Sequence, residues 1–372
     1  RDRVIEAIHL DFAIAAGEPY ISPKDGTPCK NVTISNCTSN NVFAGVGTHR
    51  LNEYKYRKNG EKKATNIKIT NCSFTNLKSG NEAKDYGNAL YMKYASGVTF
   101  TNNTIVNAQA LANLEEVSGI NVSNNSIAGA HQNAVYLRNC GGTNNKIENN
   151  TISCSDSEKN AVWAISSAKT FDDDTASNQV MNATISGNKV SGSFKNGIGA
   201  EGAKTNLTVN SNTISGSNGS GIYGMTNTTI TANGNTINNP GTFGILAEYN
   251  AKALVLSNTV NNSKDKAIFL NACASGSTVN NNTVNNPKQY GIFIYDAQGE
   301  IANNVISGNK VNNAVNWAIY VSKHSKASCN ETIKNNTITA PKHYGIFANN
   351  ATVKISGNKV SDGKNDGIWL SA

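Results

Sequence analysis

The sequence predicts an all-β fold made of short stacked coils, and three observations carry that prediction. An Asn-centred motif recurs from end to end. Its anchors are Cys37, Cys72, Asn103, Asn125, Asn150, Asn188, Asn212, Asn235, Asn258, Asn282, Asn309, Asn336 and Asn358, most of them 22–27 residues apart. Around each anchor apolar and polar residues alternate over four or five positions, which is the period of a strand and not of a helix. Finally, only 16% of the 372 residues are charged and 6 are Pro, so the composition is not that of a disordered chain.

The elements of one unit can be read in order near the end of the chain. Val353-Lys354-Ile355-Ser356 is a first strand, and Gly357-Asn358 a turn that places the anchor. Lys359-Val360 continues as a second strand, and after a short polar turn Gly367-Ile368-Trp369-Leu370 forms a third. Strands this short cannot bury an apolar face alone, whereas stacked units share one continuous core. An inward-turned Asn at the same turn of every coil would bond the amides one rung above and below, satisfying polar groups inside the stack. Cys37 and Cys72 stand at the first two positions of that ladder, and their equivalent places favour buried free thiols over a disulfide. Leucine-rich repeats need a spaced Leu consensus and propellers need longer units, and neither fits.

With motifs such as Ile185-Ser186-Gly187-Asn188-Lys189-Val190 and Asn196-Gly197-Ile198, essentially the whole chain resembles the right-handed parallel β-helix family, the pectin-lyase-like superfamily. The resemblance implies a single-stranded right-handed parallel β-helix of about 13 coils with an internal Asn ladder, forming one domain over 1–372. It also implies a secreted or cell-surface protein that handles oligo- or polysaccharide. The superfamily holds lyases, hydrolases, epimerases and non-catalytic adhesins, so the chemistry must come from individual residues. The first coil starts close to Arg1 and the last strand reaches Ala372 without a covering element. Open sheet edges invite pairing, so the expectation is a longer chain, or a flanking domain or partner chain over the ends.

Charge and cysteines narrow the classes further. The net charge of +8 suits an anionic glycan, but the basic residues are scattered without a Lys/Arg run, and no nucleic-acid partner is expected. No apolar run approaches the length of a membrane span. Seven cysteines without CxxC spacing exclude zinc-ribbon and thioredoxin readings.

The Gly/Ala-Ile pairs align the third strand of each unit, and alternation then defines two outward columns. The first contains His9, Gly47, Tyr91, Asn113, Tyr136 and Trp163, and later Phe269, Phe293, Tyr320 and Phe347. Tyr91, Tyr136 and Trp163 are read as sugar subsites, and the later rings as stacking that holds the sheet together. The second column runs Asp11, His49, Lys93, Glu115, Arg138, Ile165, Glu201, Met225, Glu248 and Asn271. Its first five members are ionisable and neighbours lie about 4.8 Å apart, so Asp11–His49 and Glu115–Arg138 are expected to touch. A charge ladder that merely keeps the sheet soluble is the plain alternative. The longest inserts, 12–27, 50–63, 78–86 and 166–181, cluster beside these rungs as cleft walls would.

Glycosidic hydrolysis needs two carboxyl groups a few ångströms apart. Asp11, closing the His9-Leu10-Asp11 strand, and Glu18 in the following insert are the candidate pair, with His49 beside them. An Asp at a strand end with a carboxyl in the next loop is similar to the arrangement of β-helix lacto-N-biosidases, although Glu18 replaces an Asp. His9, Tyr91, Lys93, Glu115, Tyr136, Arg138, Trp163 and Glu201 would line the substrate. Two alternatives stay open: a polysaccharide lyase in which His49, Lys93 and Arg138 supply base and neutraliser for β-elimination on a uronate, and a non-catalytic bacterial adhesin. No metal or other cofactor is expected. Calcium would suit elimination, yet the one acidic cluster, Asp172-Asp173-Asp174, lacks the alternating ligand spacing of a calcium loop.

Overall fold

The computed structural model describes residues 6–9, 29–42, 44–47, 64–77, 87–166, 180–296, 303–323 and 330–371. They form an all-β chain divided into two compact units, Arg1–Lys189 and Val190–Ala372. Each unit is a parallel β-solenoid with three sheets, in which each strand pairs with the equivalent strand of the next rung.

In the N-terminal unit the first sheet runs Glu6–His9, Ala44–Gly47, Asn88–Lys93, Ala110–Glu115, Val135–Arg138 and Val162–Ile165. The second contains six described strands from Lys30–Ser35 to Met181–Ser186, and the third follows from Thr38–Asn40. In the C-terminal unit the first sheet contains eight described strands, Ile198–Glu201 to Ile368–Ser371, and the second seven, Thr205–Asn210 to Thr352–Ser356. Rung numbers of six and seven on the second sheet stand close to the coil count read from the anchors.

The Asn-Asn dipeptides mark the corner between the second and third sheets, and their two members do different work. The first adopts a left-handed conformation, with φ of 57° at Asn102, 57° at Asn124 and 56° at Asn149. Asn tolerates that region better than most residues. The second turns its amide inward. In the N-terminal unit Asn103 Nδ2 donates to Asn125 Oδ1 at 3.0 Å, Asn125 to Asn150 at 3.0 Å, and Asn150 to Asn188 at 3.0 Å. In the C-terminal unit the same chain runs from Asn212 through Asn235, Asn258, Asn282, Asn309 and Asn336 to Asn358. Each Oδ1 also accepts the backbone N–H of the preceding ladder residue, as Asn125 Oδ1 does from Asn103 at 2.9 Å. The second amide hydrogen goes to a carbonyl, as from Asn258 to Ala232 at 2.9 Å.

Where Gly takes the left-handed position, space is a second reason. A Cβ on Gly187, at φ 65°, would stand 2.2 Å from Asn149 Oδ1, the amide one rung below. Gly308 over Asn281 and Gly357 over Asn335 repeat the arrangement in the C-terminal unit. The Gly/Ala-Ile pair has a steric origin as well. At the entry to the first sheet the backbone approaches the third-sheet side chains so closely that a Cβ on Gly244 would meet Val260 Cγ1 at 2.4 Å. Between these corners the inward residues are Ile, Val, Leu and Ala with almost no exposure, and Phe74 and Phe100 stack inside the N-terminal unit at 6.0 Å. Cys72 is buried as expected, whereas Cys37 is exposed.

Replacing Asn258 by Leu removes the two bonds that its Oδ1 accepts from Asn235 and the two that its amide donates to Asn282 and Ala232. Asn235 is left with unsatisfied buried donors, while Asn282 Oδ1 keeps the backbone N–H of residue 258. We expect a loss of about 2–4 kcal/mol in urea unfolding, with the strand content of the circular dichroism spectrum retained. Unchanged stability would mean that the ladder bonds contribute nothing net.

Candidate functional site

The registers of the first sheet in the N-terminal unit reproduce both outward columns. Tyr91, Asn113, Tyr136 and Trp163 stand opposite one another on successive rungs, as do Lys93, Glu115, Arg138 and Ile165. His9 pairs with Gly47 and Gly47 with Tyr91. The rung spacing brings three charges together. Lys93 Nζ lies 3.7 Å from Glu115 Oε2 and Arg138 Nε lies 4.0 Å from Glu115 Oε1. The expected Glu115–Arg138 contact therefore forms, and Lys93 completes it from the opposite side.

Burial differs from the sequence expectation. Tyr91 is 3% exposed and Glu115 1%, and Lys93 is buried beside them, whereas Tyr136, Arg138 and Trp163 are half-buried. Long basic side chains lay their apolar stems along a surface. Here Lys93 Nζ stands over the Tyr91 ring, 5.4 Å from its centroid, and Lys93 and Arg138 close over Glu115 from both sides. A buried carboxylate is costly unless paired, and the two flanking cations supply that pairing for Glu115. On these rungs the accessible members of the columns are Asn113, Tyr136, Arg138, Trp163 and Ile165.

Asp11, Glu18 and His49 lie outside the described residues, as do the Asp172-Asp173-Asp174 cluster and nearly all of the four long inserts. Glu201 belongs to the C-terminal unit, where it pairs in register with Met225, which pairs with Glu248, which pairs with Asn271. In that unit a contact emerges that sequence reading missed. The Tyr223 hydroxyl donates to Glu248 Oε1, and Asn271 Nδ2 donates to Glu248 Oε2 at 3.3 Å. Burial and the Glu248 carboxylate both push the Tyr223 phenol up from its ordinary value. Tyr223 and Glu248 belong to different columns, so the contact runs diagonally across one rung. The legible signal was a Tyr and a Glu offset by one rung and two residues.

The later rings of the first column stack face to face. Centroids lie 5.0 Å apart for Phe269–Phe293, 4.4 Å for Phe293–Tyr320 and 5.1 Å for Tyr320–Phe347, with interplanar angles of 7°, 7° and 16°. Lys266 Nζ caps them, 5.0 Å from the Phe269 centroid, and pairs with Asp265 at 2.8 Å. Rings arranged this way spend their faces on one another, which is the arrangement that binds strand to strand.

Among the described residues no group of three or more His, Cys, Asp or Glu side chains could hold a metal ion. The deeper thiols do not substitute for one. Burial pushes Cys140 and Cys154 up to about 12, so both remain protonated and are poor ligands at neutral pH.

Parallel strands wound three to a rung with an Asn at one corner define a right-handed parallel β-helix, and the family model described as a right handed beta helix region matches residues 175–330. The chain belongs to the family described as periplasmic copper-binding protein (NosD), whose model matches residues 19–171 and 317–372, more than half of its length. No curated protein matches the chain. Among solved structures it is similar to the surface protein and adhesin PfbA of Streptococcus pneumoniae, with 13% identity, a TM-score of 0.50, and 94% of this chain and 93% of that one covered. It is also similar to the catalytic domain of a GH87 alpha-1,3-glucanase in complex with tetrasaccharides. That match has 10% identity and a TM-score of 0.45, and covers 91% of this chain and 63% of that one. At these identities the likeness is one of fold.

The Cys140 and Cys154 thiols make stability depend on alkaline pH. Their folded pKa values lie above the ordinary value of 9.0, so the folded chain holds protons that the unfolded chain releases. Their contribution should be complete below pH 9 and should be lost as pH rises towards 12, at up to about 1.4 kcal/mol per pH unit for each thiol. Urea unfolding of wild type and Cys140→Ala between pH 8 and 11 checks this, the variant showing the shallower decline.

Proposed function

We propose that this protein acts on carbohydrate outside the cytoplasm, binding an oligo- or polysaccharide on the first sheet of its N-terminal unit and cleaving glycosidic bonds there. The observation that carries the reading is the Lys93–Glu115–Arg138 cluster, whose Arg138 shares a strand with Tyr136 and lies one rung from Trp163. Aromatic rings give sugar C–H faces an apolar support, and the charged groups beside them bind hydroxyls or an acidic substituent. Glu115 is covered by Lys93 and Arg138, so it orients those two cations and does not meet the substrate itself. The carboxyl groups for hydrolysis come from elsewhere, and Asp11 and Glu18 are the proposed pair. One protonates the departing glycosidic oxygen as the C–O bond breaks, and the other acts as nucleophile or as the base for water. His49 would tune that pair, and His9 is a further proposed substrate contact.

A second reading draws on the same cluster. Lys93 and Arg138 would neutralise a uronate carboxylate and so favour abstraction of the neighbouring proton, which is β-elimination, with His49 as a candidate base. Copper, which the family's name carries, finds no group of three ligands among the described residues, and no step is routed through it.

The test is activity on a panel of neutral and uronic-acid glycans, following reducing ends and the absorbance of unsaturated products in parallel. Hydrolysis predicts reducing ends alone, with at least about a hundredfold loss in Asp11→Asn and Glu18→Gln and a smaller loss in Arg138→Ala. Elimination predicts both signals and the reverse order of sensitivity. Binding without turnover, unaffected by Asp11→Asn and His49→Ala, would leave an adhesin.

A further inference from the structure

The two cysteines at the head of the ladder form a pair. Thr38 and Ser73 are register partners, Ser73 N–H donates to Cys37 O at 2.9 Å, and Asn36 N–H donates to Thr70 O at 3.2 Å. Cys37 and Cys72 therefore occupy the same position on adjacent rungs, about 4.8 Å apart along the stack. That separation lies inside the range of about 4.4–6.8 Å between Cα atoms that a disulfide spans. Both thiols are free. Cys72 Sγ bonds Thr70 O at 3.4 Å in its own rung and Ile34 O at 3.9 Å in the rung of Cys37. Cys37 Sγ bonds Ser35 O at 3.4 Å, and the residue is exposed, so its side chain has room to turn toward its neighbour.

The ladder explains why this pair differs from the deeper cysteines. From Asn103 onward each rung of the N-terminal unit is tied to the next by an amide bond, and Cys72 N–H still donates to Asn103 Oδ1 at 2.8 Å. Between Cys37 and Cys72 no amide is available to make that tie. Cys154, by contrast, has Ala130 as its register partner.

We propose that Cys37 and Cys72 are a modification site that closes reversibly to an inter-rung disulfide by exchange with a low-molecular-weight disulfide such as oxidised glutathione. The exposed Cys37 thiolate attacks one sulfur of the oxidant, the S–S bond of the oxidant breaks, and one glutathione leaves as a thiol with the proton released by Cys37. Burial holds Cys72 up as a thiol, so it acts second. Its sulfur attacks Cys37 Sγ, the mixed disulfide breaks, and the second glutathione leaves with the Cys72 proton. Two protein thiols lose two electrons and one oxidised glutathione becomes two reduced ones. The product closes the chain between residues 37 and 72 into a loop and clamps two rungs that the inner amide ladder does not tie to each other. This site is independent of the glycan reading.

The experiment treats the whole chain with oxidised glutathione, maps peptides by mass spectrometry without reduction, and compares unfolding temperatures with and without dithiothreitol. The expected result is a Cys37–Cys72 cross-linked peptide lacking two hydrogens. It is accompanied by a rise of several degrees in unfolding temperature that dithiothreitol reverses and that Cys37→Ser and Cys72→Ser both lack. A glutathione adduct that persists on Cys37, a cross-link to another cysteine, or two thiols that remain free to alkylate would each overturn the proposal, whatever the fate of the variants.

Discussion

The buried amide is the constraint on which the rest of this structure depends. A coil that turns through three sheets must bend its backbone inside an apolar stack, and the bend exposes N–H and C=O groups to a medium without water. An Asn side chain supplies one acceptor and two donors at that point. Because the neighbouring rungs present the same groups at the same height, one residue type satisfies its own corner and the next. Polar satisfaction and lateral register thus come from a single interaction. Its geometry tolerates little variation, and the insertions fall instead at the ends of first-sheet strands, away from the ladder corner.

This division of labour explains how much of the molecule could be read in advance. The ladder, the alternation of strands and the Gly/Ala-Ile corner each leave a periodic trace, so the fold and both outward columns follow from spacing alone. The register pairs Tyr136 with Trp163 and Glu115 with Arg138 as the alignment of repeats requires. Depth within the column leaves no such trace. Whether Tyr91 faces solvent or lies beneath a lysine depends on where long side chains fold, and nothing periodic records that. Contacts that cross from one column to the other, as between Tyr223 and Glu248, are equally silent in a reading that treats columns as separate. The doubled Asn was visible, but its two members look identical in sequence, and only backbone conformation separates the left-handed residue from the ladder residue.

The charged cluster of the N-terminal unit illustrates what a parallel stack does to electrostatics. Adjacent rungs force side chains to within contact of one another whether or not the contact is favourable. Like charges in one column would repel, and an isolated carboxylate pressed into that crowd would lose its hydration. Alternation of Lys93, Glu115 and Arg138 resolves both problems at once.

The glycines that sit over asparagines carry a consequence for how such a chain can change over time. Asn149 fills the volume that a side chain on Gly187 would need, and Asn281 and Asn335 do the same beneath Gly308 and Gly357. A coil is therefore not an interchangeable cassette. Where Asn follows Asn, as from Asn102 to Asn124 and Asn149, successive turns accept a Cβ at this corner. Above Asn149, Asn281 and Asn335 a copied turn fits only if it brings a glycine or if the amide beneath it rotates away. A lineage can therefore lengthen its solenoid freely at some turns, while at others the change next door has to come first.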